Sequence, residues 1–243
     1  MAIAMDLYTR GAATLLAAWE QYARASAGAA VLRLDGVSAA VFPSEPERAV
    51  YNNALLADEL APGERAAAVG AMESAYASAG VDRYAAWVRE HDEGMRAELA
   101  GRGYRLEATT RAMGMTLEHL PPAPALELGA PDWSEHLRLI GVPRGFLGGA
   151  DASAFHVLVA RLGGENVATG VAFDHDGDCG IYNVTTLAPA RRRGIGTALT
   201  ARLLRDAAGR GCSTASLQST AMAEGVYAAV GFRDLGRFLE YML

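Results

Sequence analysis

The stretch Arg191-Arg192-Arg193-Gly194-Ile195-Gly196-Thr197 joins a strand-like run, Ile181 to Leu187, to a segment with Ile195, Leu199 and Leu203 at helical spacing. A basic, glycine-rich turn from strand to helix is suited to holding an anion. The first amides of a helix lack intrahelical partners and lie at the positive end of its dipole. Glycines at 194 and 196 remove the Cβ atoms that would keep an anion away from those amides. Two phosphate loops are excluded by the residues themselves. A Walker-type loop needs a lysine after its second glycine, and Thr197 stands there; a dinucleotide fingerprint needs a third glycine where Leu199 stands. What remains is Arg191-x-x-Gly194-x-Gly196.

The surrounding composition makes this turn a local exception. The chain has 243 residues, 51% hydrophobic and 21% charged, which is a globular composition with room for one large domain or two ordinary ones. Its net charge of −6 implies no general affinity for nucleic acid, so three adjacent arginines point to one specific anion. Cys179 and Cys212 form neither a disulfide framework nor a metal-ligand spacing, and no metal is expected. No signal-like segment opens the chain, and no apolar run approaches the roughly 20 residues of a membrane span. The expectation is a cytoplasmic protein with no membrane partner.

Read in order, the pattern predicts a helix over 6–26, a hairpin of 29–34 and 37–42 turning at Asp35-Gly36, and a short apolar run over 51–56. A helix over 64–79, a strand over 81–88, a helix over 95–100 and one or two strands over 104–117 follow. Pro121-Pro122-Ala123-Pro124 opposes helix and central strand alike, which makes 121–125 the expected linker between domains 1–120 and 121–243. Beyond it the pattern predicts a strand over 126–128, a helix over 132–140, a glycine-rich loop over 141–150 and strands over 156–162, 167–173 and 179–187. The basic turn and its helix lead to a strand over 213–218, a helix over 224–229 and a strand over 238–243.

The two halves share anchors. Tyr51-Asn52 parallels Tyr182-Asn183, and Gly103-Tyr104-Arg105 parallels Gly231-Phe232-Arg233. The spacing from tyrosine to glycine is 52 residues in the first copy (103 − 51) and 49 in the second (231 − 182). Two copies of one α/β unit are therefore expected.

The stretch Val184 to Leu199, followed by Leu217-Gln218-Ser219-Thr220 and by Val226-Tyr227-Ala228-Ala229-Val230-Gly231-Phe232, resembles the acetyl-CoA-binding signature and later Tyr-x-x-x-Gly-Phe motif of the GNAT superfamily of N-acetyltransferases. The resemblance covers roughly 126–243. It implies an α/β (α+β) fold of two GNAT-like domains, each a mixed, mostly antiparallel sheet flanked by helices. It also implies acetyl-CoA as co-substrate, with pantetheine entering where the strand before the turn splays from the strand after its helix. On that basis Val184, Thr185 and Thr186 would offer backbone groups to pantetheine and the thioester carbonyl. Arg192, Arg193, Gly194, Ile195, Gly196 and Thr197 would cradle the pyrophosphate, with Arg191 at the first signature position. Tyr227 matches the tyrosine that protonates the departing thiolate. Two departures stand out: Ala188 precedes Pro189 where proline is common, and Thr220 replaces a frequent asparagine.

No general base is identified. Glu224, Glu165, Asp174 and His175 read more simply as turn or surface residues, and Asp174-His175-Asp176-Gly177-Asp178 as a hairpin turn rather than a metal loop. Gly211-Cys212-Ser213-Thr214-Ala215 lacks the second glycine of a nucleophile elbow. In the first copy, the phosphate turn should fall at 60–65, where Pro62 deletes an amide and Glu64 brings negative charge; Leu99 stands in the place of Tyr227. This copy reads as a degenerate domain that supports or shapes the acceptor site. The chain thus reads as an acetyl-CoA-dependent N-acetyltransferase acting on a small-molecule amine by direct attack. The rival reading is a non-catalytic acyl-CoA-binding scaffold.

Overall fold

The computed structural model describes residues 2–120, 122, 124–143 and 145–243, with side chains from Leu7 onward. Pro121 and Ala123, in the expected linker, and Arg144, in the expected glycine-rich loop, lie outside the described residues. Helix α1 (Ala2–Ala23) precedes β1 (Ala30–Leu34), β2 (Val37–Val41), β3 (Asn53–Leu56), α2 (Pro62–Ser78), β4 (Ala85–Arg89), α3 (Glu93–Gly101) and β5 (Arg105–Thr116). Helix α4 (Trp133–Ile140) then leads to β6 (His156–Leu162), β7 (Glu165–His175), β8 (Asp178–Thr186), α5 (Ile195–Gly209), β9 (Thr214–Ser219), α6 (Glu224–Ala228) and β10 (Arg233–Met242).

The two series are built alike, as the repeat implies. β1, β2 and β3 pair antiparallel and β3 pairs parallel with β4; β6, β7 and β8 pair antiparallel and β8 pairs parallel with β9. Short turns suffice for the antiparallel pairs, whereas each parallel pair needs a crossover, supplied by α2 and by α5. The result is the mixed, mostly antiparallel α/β fold expected.

The compact units are not the two halves 1–120 and 121–243. One comprises residues 1–18 and 112–235, the other 19–111 and 236–243. The difference arises in the long last strands. Residues 105–111 of β5 and 236–242 of β10 serve the β1–β4 unit, and the rest of each serves the β6–β9 unit. Within the β1–β4 unit, β10 lies between β4 and β5, pairing antiparallel with β4 from Phe238↔Arg89 to Tyr241↔Ala86. Within the β6–β9 unit, β5 lies beside β9. A proline stretch marks where one repeat stops; it carries no information about which distant strand completes a sheet.

Several element boundaries also differ from the expected ones. β4 begins at Ala85 rather than at Val81, because the Val81 amide closes α2 on Tyr76 O and the Arg83 amide donates to Pro46 O. The segment 126–128 forms one bridge, Leu128↔Ala160, with flanking bonds from Gly129 N to Val159 O and from Arg161 N to Glu127 O. It covers the outer edge of β6 without becoming a strand. β10 begins at Arg233, earlier than the expected 238.

Each unit has its own core. In the β1–β4 unit, Val69, Met72 and Tyr76 of α2 and Met95 and Leu99 of α3 cover Val37, Val41, Ala54 and Leu56. In the β6–β9 unit, Leu203, Leu204 and Ala207 of α5 and Tyr227 of α6 cover Cys179, Ile181, Ala215 and Leu217.

Candidate cofactor and active site

The site begins with a fork. β8 has nine residues and β9 six, yet the pair is in register only at Asp178↔Thr214, Cys179↔Ala215 and Gly180↔Ser216. Beyond that point the strands part, with no further register pair between them among the described residues. A bulge lies just past the parting. Thr185 pairs with Thr169 and Tyr182 with Val171, so Asn183 and Val184 together oppose Gly170. Asn183 takes a φ of +54°, a left-handed conformation that asparagine tolerates better than most residues. A Cβ on Gly170 would stand 2.9 Å from Leu199 Cδ2 and 3.2 Å from both Leu203 Cδ1 and Val184 Cγ2. The α5 leucines are thus seated in a notch opposite the bulge. Sequence reasoning missed Gly170 and Asn183, although an asparagine inside a strand-like run is itself a sign of irregularity.

The basic turn follows at the open end of β8. After a 3₁₀ turn over Ala188–Ala190, Arg191, Arg192, Arg193 and Gly194 are exposed. Arg192 has a φ of +64° and Gly194 of +75°, left-handed conformations that glycine adopts freely and arginine rarely does. No side chain caps α5, and no acidic residue lies in its first turn. Its first bond at this end runs from Ala198 N to Gly194 O at 2.9 Å, which leaves the amides of Ile195, Gly196 and Thr197 ahead of it. A Cβ on Gly196 would meet only Thr186 Oγ1 and Val226 Cγ1, each at 3.9 Å. Nothing among the described residues therefore excludes a side chain there. Arg191 commits its Nε–H to Thr186 O at 2.9 Å, bracing the turn against β8. The Ile195 side chain is buried, so only its backbone faces the turn.

Tyr227 lies on α6, the short helix whose Val226 comes near Gly196. Tyr227 is buried, edge-on to Phe232 at 6.0 Å between ring centres, and burial pushes its phenol up to about 12. The other titratable residues considered for the site are placed otherwise. Asp174 and His175 lie on the β7–β8 hairpin, at the opposite end of β8 from the basic turn. Burial would raise the Asp174 carboxyl, but two bonds from Arg210, at 2.6 and 2.9 Å, hold it below its ordinary value. Glu165 is exposed at the β6–β7 turn, and Glu224 is half-buried on α6.

Asp178 corrects the reading of its segment as a turn. It is the first residue of β8, 1% exposed, and accepts hydrogen bonds from Thr214, Ser216 and Thr14. Among the described residues no cluster of three or more His, Cys, Asp or Glu could hold a metal ion. Cys212 offers no ready nucleophile, because burial pushes its thiol up to about 11. No described helix is long and apolar enough to cross a membrane.

The corresponding place in the β1–β4 unit is built differently. β3 pairs with β4 over three of its four residues, Asn53↔Ala85, Ala54↔Ala86 and Leu55↔Trp87, so no fork opens. At the start of α2, Pro62 occupies the first turn and Glu64 Oε2 accepts the Ala61 amide at 2.8 Å. The helix supplies its own anion. Leu99, in the place of Tyr227, is fully buried.

Comparison with known proteins bears on the fold. Residues 123–232 match the family described as Acetyltransferase (GNAT) family. The chain is similar in structure to a GCN5-related N-acetyltransferase from Kribbella flavida, with 17% identity, a TM-score of 0.71 and coverage of 94% of this chain and 93% of that one. It is similar to a tandem GNAT protein from the clavulanic acid biosynthesis pathway, with 14% identity, a TM-score of 0.60 and coverage of 90% and 84%. A GCN5-related N-acetyltransferase from Sphaerobacter thermophilus shares 18% identity, with a TM-score of 0.59 and coverage of 87% and 82%. No curated protein matches the chain. At these identities the structures speak for the fold.

Proposed function

We propose, from the match of residues 123–232 to the GNAT acetyltransferase family, that the chain transfers acetyl from acetyl-CoA to the amine of a small molecule. The observation that carries the reading is the β8–β9 fork opening beside an uncapped, basic helix start. In this reading the diphosphate lies against the amides of Ile195, Gly196 and Thr197 with Arg192 and Arg193 beside it. Pantetheine enters the fork along the free edge of Val184, Thr185 and Thr186.

The amine nitrogen bonds to the thioester carbon, the carbonyl oxygen takes negative charge, and the C–S bond then breaks. Backbone amides near the bulge would stabilise the oxygen, usually the largest electrostatic contribution in acyl transfer. Tyr227 stands to donate a hydrogen bond to the departing sulfur. A phenol at about 12 is a weaker acid than a thiol near 8.5, so solvent, not Tyr227, completes protonation of the sulfur. The proton lost by the amine passes to water.

Calorimetric titration with CoA tests the site. One equivalent should bind per chain, because the β1–β4 unit fills its own helix start with Glu64. Arg193→Glu should weaken binding about tenfold or more, by placing a like charge against the diphosphate. Undiminished affinity in that variant would remove the site. Profiling of the compounds acetylated in a cell extract would identify the acceptor, and a failure to acetylate any amine would favour the non-catalytic binding module.

A further inference from the structure

At the closed end of the fork, the side chains that hold β8 to β9 are polar and buried. Asp178 Oδ1 accepts from Thr214 Oγ1 at 2.6 Å, and its Oδ2 accepts from Ser216 Oγ at 2.7 Å. The same Oδ2 is 2.8 Å from Thr14 Oγ1 on α1. Arg10 Nε donates to Thr214 Oγ1 at 3.1 Å, and its terminal nitrogen donates to Asp176 O at 3.1 Å. Thr14 is 0%, Asp178 1%, Ser216 2% and Thr214 7% exposed. α1 is pressed close here: a Cβ on Gly11 would stand 2.8 Å from Ser216 Cβ.

This is an uncommon way to join two strands. Three register pairs give little purchase, and apolar side chains would allow the strands to slide or to zip further. A carboxylate whose two oxygens take hydroxyls at positions i and i+2 of the neighbouring strand fixes register and separation together. Such charge-assisted bonds are short and directional, and a buried carboxylate tolerates no loss of its donors. The parting begins immediately beyond this grip, between Gly180 and Ile181 on β8.

We propose that Asp178 is a positioning residue that sets how far β8 and β9 stand apart, and thereby the affinity of the fork for the pantetheine arm of CoA. Asp178 touches no substrate; it acts through Thr214 and Ser216. The inference rests on the assignment of the fork as the CoA site.

The test is calorimetry with CoA on the full chain, together with hydrogen exchange of the ligand-free protein. Asp178→Asn keeps the shape and removes the charge. It should weaken CoA about tenfold, a loss typical of one charge-assisted bond network weakened but not abolished. Amides over 181–186 and 217–219 should exchange faster, while those of α5 keep their protection. Val69→Ala, in the core of the β1–β4 unit, is the control: it should lower the melting temperature and leave CoA affinity unchanged. If Asp178→Asn does not fold, Ser216→Ala and Thr214→Val each remove one grip and should show the same signature in part. A folded variant with unchanged CoA affinity and unchanged exchange in the fork would overturn the proposal. So would an equal loss of affinity in the Val69→Ala control. If the unaltered protein bound no CoA, the assignment of the site would fail instead, a separate result.

Discussion

At the scale of single residues, the chemistry of the β6–β9 unit is set by what burial does to Tyr227 and His136. Raised to about 12, the Tyr227 phenol stays neutral throughout the physiological range, so its titration should contribute no falling limb to a pH–rate profile below about pH 10. Tyr227→Phe, by removing the hydrogen bond to the departing sulfur, should lower turnover about 10- to 100-fold while leaving the CoA dissociation constant unchanged. Equal loss of binding and turnover would instead make Tyr227 a packing residue. His136 on α4 is fully buried, stacked on Trp133 at 5.3 Å, and its Nδ1 lies 2.8 Å from Thr169 Oγ1. That hydroxyl spends its own proton on Leu158 O at 2.9 Å, so His136 donates from Nδ1 and is neutral, with Nε2 unpartnered. Burial lowers its pKa from 6.5 to about 4. Protonation therefore favours the unfolded chain: the stability His136 confers is complete above pH 6.5 and is lost as pH falls toward 4, by about 3 kcal/mol at most. Denaturant midpoints should fall across that window more steeply in the unaltered protein than in His136→Gln, and parallel curves would rule the account out.

At the scale of elements, the bulge and the seat of α5 depend on one glycine. Gly170→Ala would bring a Cβ within 2.9 Å of Leu199, whose side chain can yield only by disturbing the packing beneath α5. The expected cost is about 1–3 kcal/mol in chemical unfolding, accompanied by weaker CoA binding as the helix start shifts. An unchanged unfolding midpoint would mean that α5 is not seated there. The glycine turn itself was legible, because Gly194, Gly196 and three arginines carry a local signal that requires no knowledge of the fold. Most elements were legible for the same reason, being encoded by period and punctuation. The bulge at Asn183 was not, since its cause, Leu199 and Leu203 pressing on Gly170, lies across the sheet. Nor was the buried grip of Asp178, which in sequence is one aspartate of three in a turn-like run. Its meaning comes from Thr14, some 160 residues away, and from Thr214 and Ser216.

At the scale of the whole molecule, the repeat was visible as matched anchors, but its ownership of strands was not. Pairing β4 with β10 joins segments separated by most of the chain, and no local pattern records it. Separate expression of 1–120 and 121–243 should yield two insoluble or unfolded products. The first lacks residues 236–243 and the second lacks residues 1–18 and 112–120. A soluble, cooperatively melting 121–243 fragment would contradict this division. The membership of 236–243 in the β1–β4 unit also dictates an order of events during synthesis. The first sheet cannot close when its own repeat has left the ribosome; it must wait through the 124 residues from 112 to 235. At bacterial or eukaryotic elongation rates that delay is roughly 6–25 s, during which the edge of β4 stands unpaired. The nascent chain is thus obliged to keep an open strand protected until residues 236–243 arrive, and a chain stalled at residue 235 should be far more sensitive to protease than one eight residues longer.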